Sequence, residues 1–261
     1  MQNRWTVVAL WVGLSAIAPA RADLNNRQAA SNRAVSAING ELGLGWGETK
    51  FKGGDESTRM IRAEGNVPLG QAFGLNLSAQ QSQAQQSFGS IDFDSDTEGY
   101  AIAAFWRNPQ AGLLGYGRGR FRVTDVKVDG DTRTDLEVEV DSQRIVAAAY
   151  LDGATLSVLS GKTEAVSGPA SDADVLWYHI VAYTSPDFLL DLAIGAQDAD
   201  KNYSLAFEHQ LTSVPSLSYG LTYSLFRNDP EATTWFLTIN YRLGDVKPLV
   251  RRYHEDLFGV R

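Results

Sequence analysis

The chain contains no cysteine among its 261 residues, and beyond its first 22 residues it contains no long apolar run. The absence of cysteine excludes disulfide bonds and every site that depends on a thiolate. No later stretch approaches the roughly 18 consecutive apolar residues that a transmembrane helix needs. Basic residues are also in the minority, with 23 Lys and Arg against 31 Asp and Glu, which argues against a general nucleic-acid binder.

The first 22 residues have the pattern of a secretory signal peptide. Arg4 supplies a positive charge, and an apolar run extends from residue 5 to residue 18. Ala20 and Ala22 are small residues at the two positions before the cleavage site that a signal peptidase recognises. The alternative, an uncleaved anchor, would need a longer run to span a membrane. We therefore predict a signal peptide over residues 1–22, followed by a polar lead-in over residues 23–35.

Large apolar residues recur at every second position through most of the remaining chain. Between residues 203 and 243, three successive segments of about ten residues show this alternation, with aromatic residues near their ends. A period of two indicates a β-strand with one apolar and one polar face. The strand length favours a transmembrane barrel over the shorter strands of a soluble sandwich. Seven aromatic residues are predicted to face lipid: Trp46, Tyr203, Phe207, Tyr219, Tyr223, Trp235 and Tyr241.

Counting these segments gives about twelve strands over residues 36–243, and the connections between them alternate in length. One set is short, as at residues 68–72 and 151–153, whereas the other is mostly longer and charged, as at residues 48–58 and 83–98. Outer-membrane barrels have short periplasmic turns and longer outer loops. The prediction is an all-β fold: one transmembrane, antiparallel, up-and-down β-barrel. The pattern leaves open which residues of 100–106 and 175–183 face lipid.

Together these features resemble the porin-like outer-membrane β-barrel proteins of Gram-negative bacteria. The resemblance covers nearly all of the mature chain, and residues 105–109 and 250–256 look similar to uncharacterised barrels of this kind. It implies a location in the cell outer membrane, with membrane lipid and the barrel-assembly machinery as partners. Barrels of this class usually end on an aromatic residue that closes the last strand. This chain continues instead, so residues 244–261 are predicted to form a periplasmic tail or a plug.

Three arginines at every second position are the strongest candidates for a functional surface. Arg118, Arg120 and Arg122 must share one face of their strand, opposite Phe121 and Val123. An arginine that faces lipid near mid-membrane costs about 2–4 kcal/mol, so we predict that the three face the lumen. The same argument assigns other charged residues to the lumen: Arg62, Glu64, Arg107, Arg144, Lys162, Glu208 and Arg242.

A lumen lined by arginines would attract anions by electrostatic focusing. The sequence therefore predicts a porin-like channel for passive diffusion of small, anionic solutes. Barrels of about eight strands are filled by side chains, whereas those of about sixteen hold a channel. A closed-lumen barrel that acts through its outer loops or its tail is thus the alternative. An embedded hydrolase has the least support, because no serine stands in a context that marks a nucleophile. No catalytic residue, metal site or cofactor is predicted.

Overall fold

The computed structural model describes residue 35 and residues 37–151, 153–197, 200–227, 231–245 and 247–255. The predicted signal peptide and nearly all of the polar lead-in lie outside these ranges, and both stay predictions. Within the described ranges, no helix is long and apolar enough to cross a membrane.

Twelve long strands and one two-residue strand form a single antiparallel sheet that closes on itself. The strands are β1 (Asn39–Phe51), β2 (Gly54–Leu69), β3 (Phe73–Phe88), β4 (Ile91–Asn108), β5 (Gly112–Val128), β6 (Asp131–Thr132), β7 (Val138–Leu151), β8 (Ala154–Ser167), β9 (Ala173–Ser185), β10 (Phe188–Gln197), β11 (Asp200–Gln210), β12 (Leu217–Phe226) and β13 (Ala232–Leu243). A 3-10 helix, Thr134–Leu136, precedes β7, and a helix α1 (Leu249–Glu255) follows β13. The barrel closes where β1 pairs with β13, from Gly40 opposite Leu243 to Phe51 opposite Ala232.

The outer face of the barrel carries a belt of exposed apolar side chains, and the inner face is largely polar. On β13, Leu237 and Leu243 are 38% and 49% exposed, whereas Asn240 and Arg242 are buried inside. This is the alternation that a lipid-facing strand requires. The structure also shows which residues face outward in the two segments that the sequence left open, residues 100–106 and 175–183. Tyr100 and Ile102 face outward on β4, and Trp177 and His179 face inward on β9.

The two ends of the barrel differ in their connections. Both ends of the sheet, Asn39 and Leu243, lie at the end with short turns, which is the periplasmic end in barrels of this type. At the other end the prediction of long loops over residues 48–58 and 83–98 is wrong, because both are hairpins with two-residue turns. Gly53 and Gly89 supply the positive φ that these turns need. Strands beyond the membrane are wet on both faces, so their sequence lacks the alternation that reveals a strand.

Aromatic rings inside the barrel lie across glycines of the neighbouring strand. A Cβ atom on Gly99 would lie 2.4 Å from the ring of Phe121, and one on Gly195 would lie 2.4 Å from the ring of Trp177. Phe105 covers Gly74 and Phe236 covers Gly45 in the same way. Glycine is therefore required where a ring folds flat against the wall.

Candidate functional site: the lumen and its helix

The three arginines predicted to line the lumen are on the outside of the barrel. In the register of β4 and β5, Arg118 is opposite Ile102 and Arg120 is opposite Tyr100, and both of these partners are exposed on the outer face. The inward positions of this part of β5 are Gly117, Gly119, Phe121 and Val123. The prediction that Arg118, Arg120 and Arg122 face the lumen is therefore wrong.

The error has a physical cause on β5. Phe121 and Val123 were assigned to lipid because they are apolar, but they pack inside, Phe121 against Gly99 and Val123 in a small cluster with Val138 and Val140. The cost of an outward arginine also depends on depth, and it falls to about 0–1 kcal/mol near the membrane interfaces. Lys162, on β8, also faces outward and pairs with Glu164 at 2.7 Å.

The other charged residues predicted for the lumen point inward. These are Arg62, Glu64, Arg107, Arg144, Glu208 and Arg242. Arg107 is only 1% exposed, and its guanidinium lies 4.8 Å from the centre of the Phe105 ring. The seven aromatic residues predicted to face lipid, Trp46, Tyr203, Phe207, Tyr219, Tyr223, Trp235 and Tyr241, are exposed or half-buried on the outer face.

Helix α1 lies inside the periplasmic mouth of the barrel. The chain leaves β13, turns at Gly244 with a φ of 102°, and enters the lumen. The carbonyl of Lys247 accepts hydrogen bonds from Gln210 at 3.1 Å and Arg242 at 3.4 Å. Leu249 is fully buried and Arg252 is 4% exposed, so the helix packs against the inner wall.

Glu41 on β1 joins the helix to the wall. This carboxylate is 2% exposed and accepts hydrogen bonds from Arg62 at 3.0 Å and from Arg252. Arg242 approaches it to 3.9 Å and also lies 3.6 Å from Glu208. Buried carboxylates and guanidinium groups hold one another in this way because an unpaired buried charge is costly.

The far end of α1 contacts the opposite wall. The His254 ring stacks on Tyr150 of β7, with ring centres 4.0 Å apart, and its Nε2 lies 3.4 Å from the hydroxyl of Thr155 on β8. Tyr183 of β9 meets the same ring edge-on. The helix thus crosses the lumen. The prediction of a tail or a plug for residues 244–261 assigned no role to Arg252 or His254, since each role depends on which part of the wall the side chain meets.

His179 and Asp191 form a second buried pair, with Nδ1 and Oδ2 3.1 Å apart. Ser157 is the cross-strand neighbour of His179 on β8. The Ser157 hydroxyl makes no hydrogen bond to any described residue, so the serine–histidine bond of a hydrolytic triad is not formed. Among the described residues, no cluster of three or more His, Asp or Glu side chains could hold a metal ion.

Beyond α1, on the side toward the cell exterior, the lumen holds a cavity of about 100 Å³. Its lining includes the inward charged residues Arg62, Glu64 and Arg144, beside Asn76 and Ser142. Near the outer end of β11, both the amide nitrogen and the amide oxygen of Asn202 are buried without a partner among the described residues. Buried polar groups are normally satisfied by protein partners or by ordered water.

No protein-family model and no curated protein matches the sequence. Solved structures do match the fold. An outer membrane channel from Pseudomonas putida F1 has a TM-score of 0.63 and 10% identity over 85% of this chain and 100% of that one. The translocator domain of the autotransporter NalP from Neisseria meningitidis has a TM-score of 0.53 and 10% identity over 84% and 91% of the two chains. The KdgM porin has a TM-score of 0.53 and 7% identity over 77% and 99%.

The fold is that of a porin-like outer-membrane β-barrel. Such low identities establish the fold alone. The closed sheet and its apolar outer belt indicate a membrane location, because a barrel with this surface is stable only in a membrane. The predicted fold class and the predicted outer-membrane location are confirmed.

Proposed function

We propose that the protein is a narrow outer-membrane channel for small solutes, and that α1 obstructs its periplasmic mouth. The observation that carries this proposal is the polar inner wall, which runs from Glu41 and Arg242 near the mouth to Arg144 and the cavity beyond. A barrel that served only as a scaffold could fill this space with apolar side chains. Polar groups that depend on water instead favour a hydrated path.

We propose a modest preference for anions, which rests on residues other than those first predicted. The charged side chains that face the cavity from the inner wall are Arg62 and Arg144 against Glu64, whereas Arg118 and Lys162, which also border it, point outward. This gives one excess positive charge in a low-dielectric wall, and such a charge focuses the field on a passing anion. The arginines of β5 have no part in this selectivity, because they lie outside the barrel.

The closed-lumen barrel is the second candidate function, and the helix itself favours it. The ion pair between Arg252 of α1 and Glu41 and the ring contact between His254 and Tyr150 connect two walls across the mouth. In this case the protein would act through its outer hairpins or through residues of the tail. The proposal includes no enzymatic activity, and ester hydrolysis that is lost in Ser157→Ala would contradict that part of it.

Conductance of the refolded protein in planar bilayers tests the two candidates. We expect the full-length chain to show small or rare current steps and a chain cut after Gly244 to show larger, frequent ones. In the truncated chain, Arg144→Gln should reduce the ratio of chloride to potassium permeability, whereas Arg133→Gln, in the outer hairpin, should leave the ratio unchanged. A folded truncated chain that passes no current would rule out the channel and leave the closed-lumen barrel.

A further inference from the structure

The outward arginines of β5 lie at the height of the outer aromatic girdle. This girdle consists of the outward aromatic residues nearest the cell exterior on their strands, namely Trp46, Tyr100, Tyr178, Tyr203, Tyr223 and Trp235. Arg120 is the direct cross-strand neighbour of Tyr100. Girdle aromatics mark the boundary between the acyl chains and the headgroups. Arg118, Arg120 and Arg122, here called the arginine ladder, therefore straddle that boundary.

The apolar belt is short beneath the ladder. On β5 only Leu114 and Tyr116 present large apolar surfaces to lipid before Arg118, whereas on β13 the outward positions from Trp235 to Leu243 are all apolar. A tilted strand climbs roughly 2.5 Å per residue, so Arg118 lies about 15 Å above Gly112 and Arg122 about 25 Å above it. A belt about 25 Å tall ends at that level. On this scale Arg122 lies at the top of the belt, and Arg118 lies roughly 10 Å below it, within the acyl region.

Only the middle arginine is fully engaged by carboxylates. Asp141 holds Arg120 with two hydrogen bonds of 2.6 and 3.0 Å, and Glu139 adds a contact of 2.9 Å. Arg118 donates to the neutral hydroxyl of Tyr116 at 2.7 Å, and no carboxylate of the described residues lies within ion-pair distance of it. Arg122 is 52% exposed, and its two carboxylate contacts, to Glu98 and Glu139, are both 3.7 Å long.

We propose that the arginine ladder binds the phosphate groups of lipid headgroups in the outer leaflet. Arg118 and Arg122 are four residues apart on one strand, which separates them by about 13 Å along the wall. Each presents a guanidinium fork, which matches the geometry of a phosphate better than a lysine would. The Arg118 stem can lie along the belt while its charged end reaches the headgroups. Arg120, held by Asp141, keeps the strands in register between the two binding groups.

Native mass spectrometry of the refolded protein in an uncharged detergent tests this proposal. The probes are phosphatidic acid and diacylglycerol, which differ only in the phosphate group. We expect the full-length protein to retain phosphatidic acid and to release diacylglycerol. The double variant Arg118→Gln/Arg122→Gln should bind phosphatidic acid at least about tenfold more weakly, since each charged hydrogen bond contributes that order of affinity. Arg227→Gln, an exposed arginine of the outer end, is the matched control and should bind like the parent protein.

Three results would overturn the proposal. The double variant could retain phosphatidic acid as well as the parent does. Inorganic phosphate could displace the lipid at equal concentration, which would indicate a site for a free anion. The parent could instead form dimers that the double variant does not, which would make the ladder an interface between copies of the chain. Both substituted residues are exposed, and a difference in gel migration between the unheated and the heated protein would show that the variant is folded.

Discussion

Glu41 lies within reach of three arginines from distant parts of the chain, namely Arg62 on β2, Arg242 on β13 and Arg252 on α1. A single carboxylate thereby joins the first strand, the last strand and the helix. Because all four groups are nearly fully buried, each depends on the others to offset the loss of hydration. The seam between β1 and β13 and the position of the helix are consequently linked through one side chain.

We expect Glu41→Gln to release the helix and to weaken the barrel. A neutral amide cannot compensate three buried guanidinium groups, and breaking a buried ion pair costs about 3–5 kcal/mol. The conductance of the full-length variant should approach that of the chain cut after Gly244, and urea should unfold the variant at a lower concentration. Glu231→Gln, which removes an exposed pair with Arg227, should change the unfolding free energy by about 1 kcal/mol or less. Parental conductance in Glu41→Gln would contradict the link.

The sequence predicted the facing of some charged residues and misplaced others. Arg62, Glu64 and Arg242 belong to strands whose neighbours alternate cleanly, so their inward position followed from parity. On β5 glycines alternate with arginines, and the large apolar residues Phe121 and Val123 point into the lumen instead of facing lipid. Parity alone could not reveal which face was which. The pairing of Phe121 with Gly99 on β4 shows which face of β5 points inward. This pairing involves two strands, so the pattern of one strand cannot reveal it.

At the scale of the strand, a ring on one strand fits the bare backbone of the next. Phe121 lies across Gly99, Trp177 across Gly195 and Phe236 across Gly45. This arrangement lets a large side chain lie flat inside a barrel of moderate width. It also pins the register of each pair, since a shift by one residue would turn the ring to the lipid side.

We expect Gly99→Val to destabilise the barrel by about 1–3 kcal/mol, the usual cost of overpacking. The new Cβ atom would lie 2.4 Å from the Phe121 ring, which would have to move into the lumen. Urea unfolding followed by tryptophan fluorescence measures the change. Gly65→Val is the matched control, because a Cβ atom there would meet only a backbone oxygen at 3.7 Å. Adding Phe121→Ala should restore part of the lost stability, and a failure to do so would contradict this explanation.

On the scale of the whole molecule, the fold was accessible from sequence because the membrane imposes its period on every strand. The twelve long strands, the short turns at one end and the apolar belt all follow from that constraint. The extensions of β2 to β5 beyond the membrane did not follow from it, since water on both faces leaves no pattern. A plug was one of the two predictions for residues 244–261, but the sequence pattern did not distinguish it from a periplasmic tail.

Single cysteines introduced into this cysteine-free chain test its orientation. Thr132 is the last residue of β6, in the outer connection between β5 and β7, and Gln110 lies in the short turn between β4 and β5. In intact cells a membrane-impermeant maleimide should label Thr132→Cys and should leave Gln110→Cys unmodified. Permeabilising the outer membrane should allow the reagent to label both. Labelling of Gln110→Cys alone in intact cells would mean that the barrel has the opposite orientation.

The route of α1 across the lumen has a mechanical consequence. Glu41 on β1 and Thr155 on β8 are six strands apart in either direction around the sheet, so the helix connects diametrically opposite walls. A hollow cylinder yields most easily by flattening into an ellipse, and a strut across its diameter opposes that deformation. Withdrawal of the helix would therefore soften the barrel as well as widen it. In the channel proposed above, the form with the helix withdrawn is then also the form that yields to the lateral pressure of the membrane.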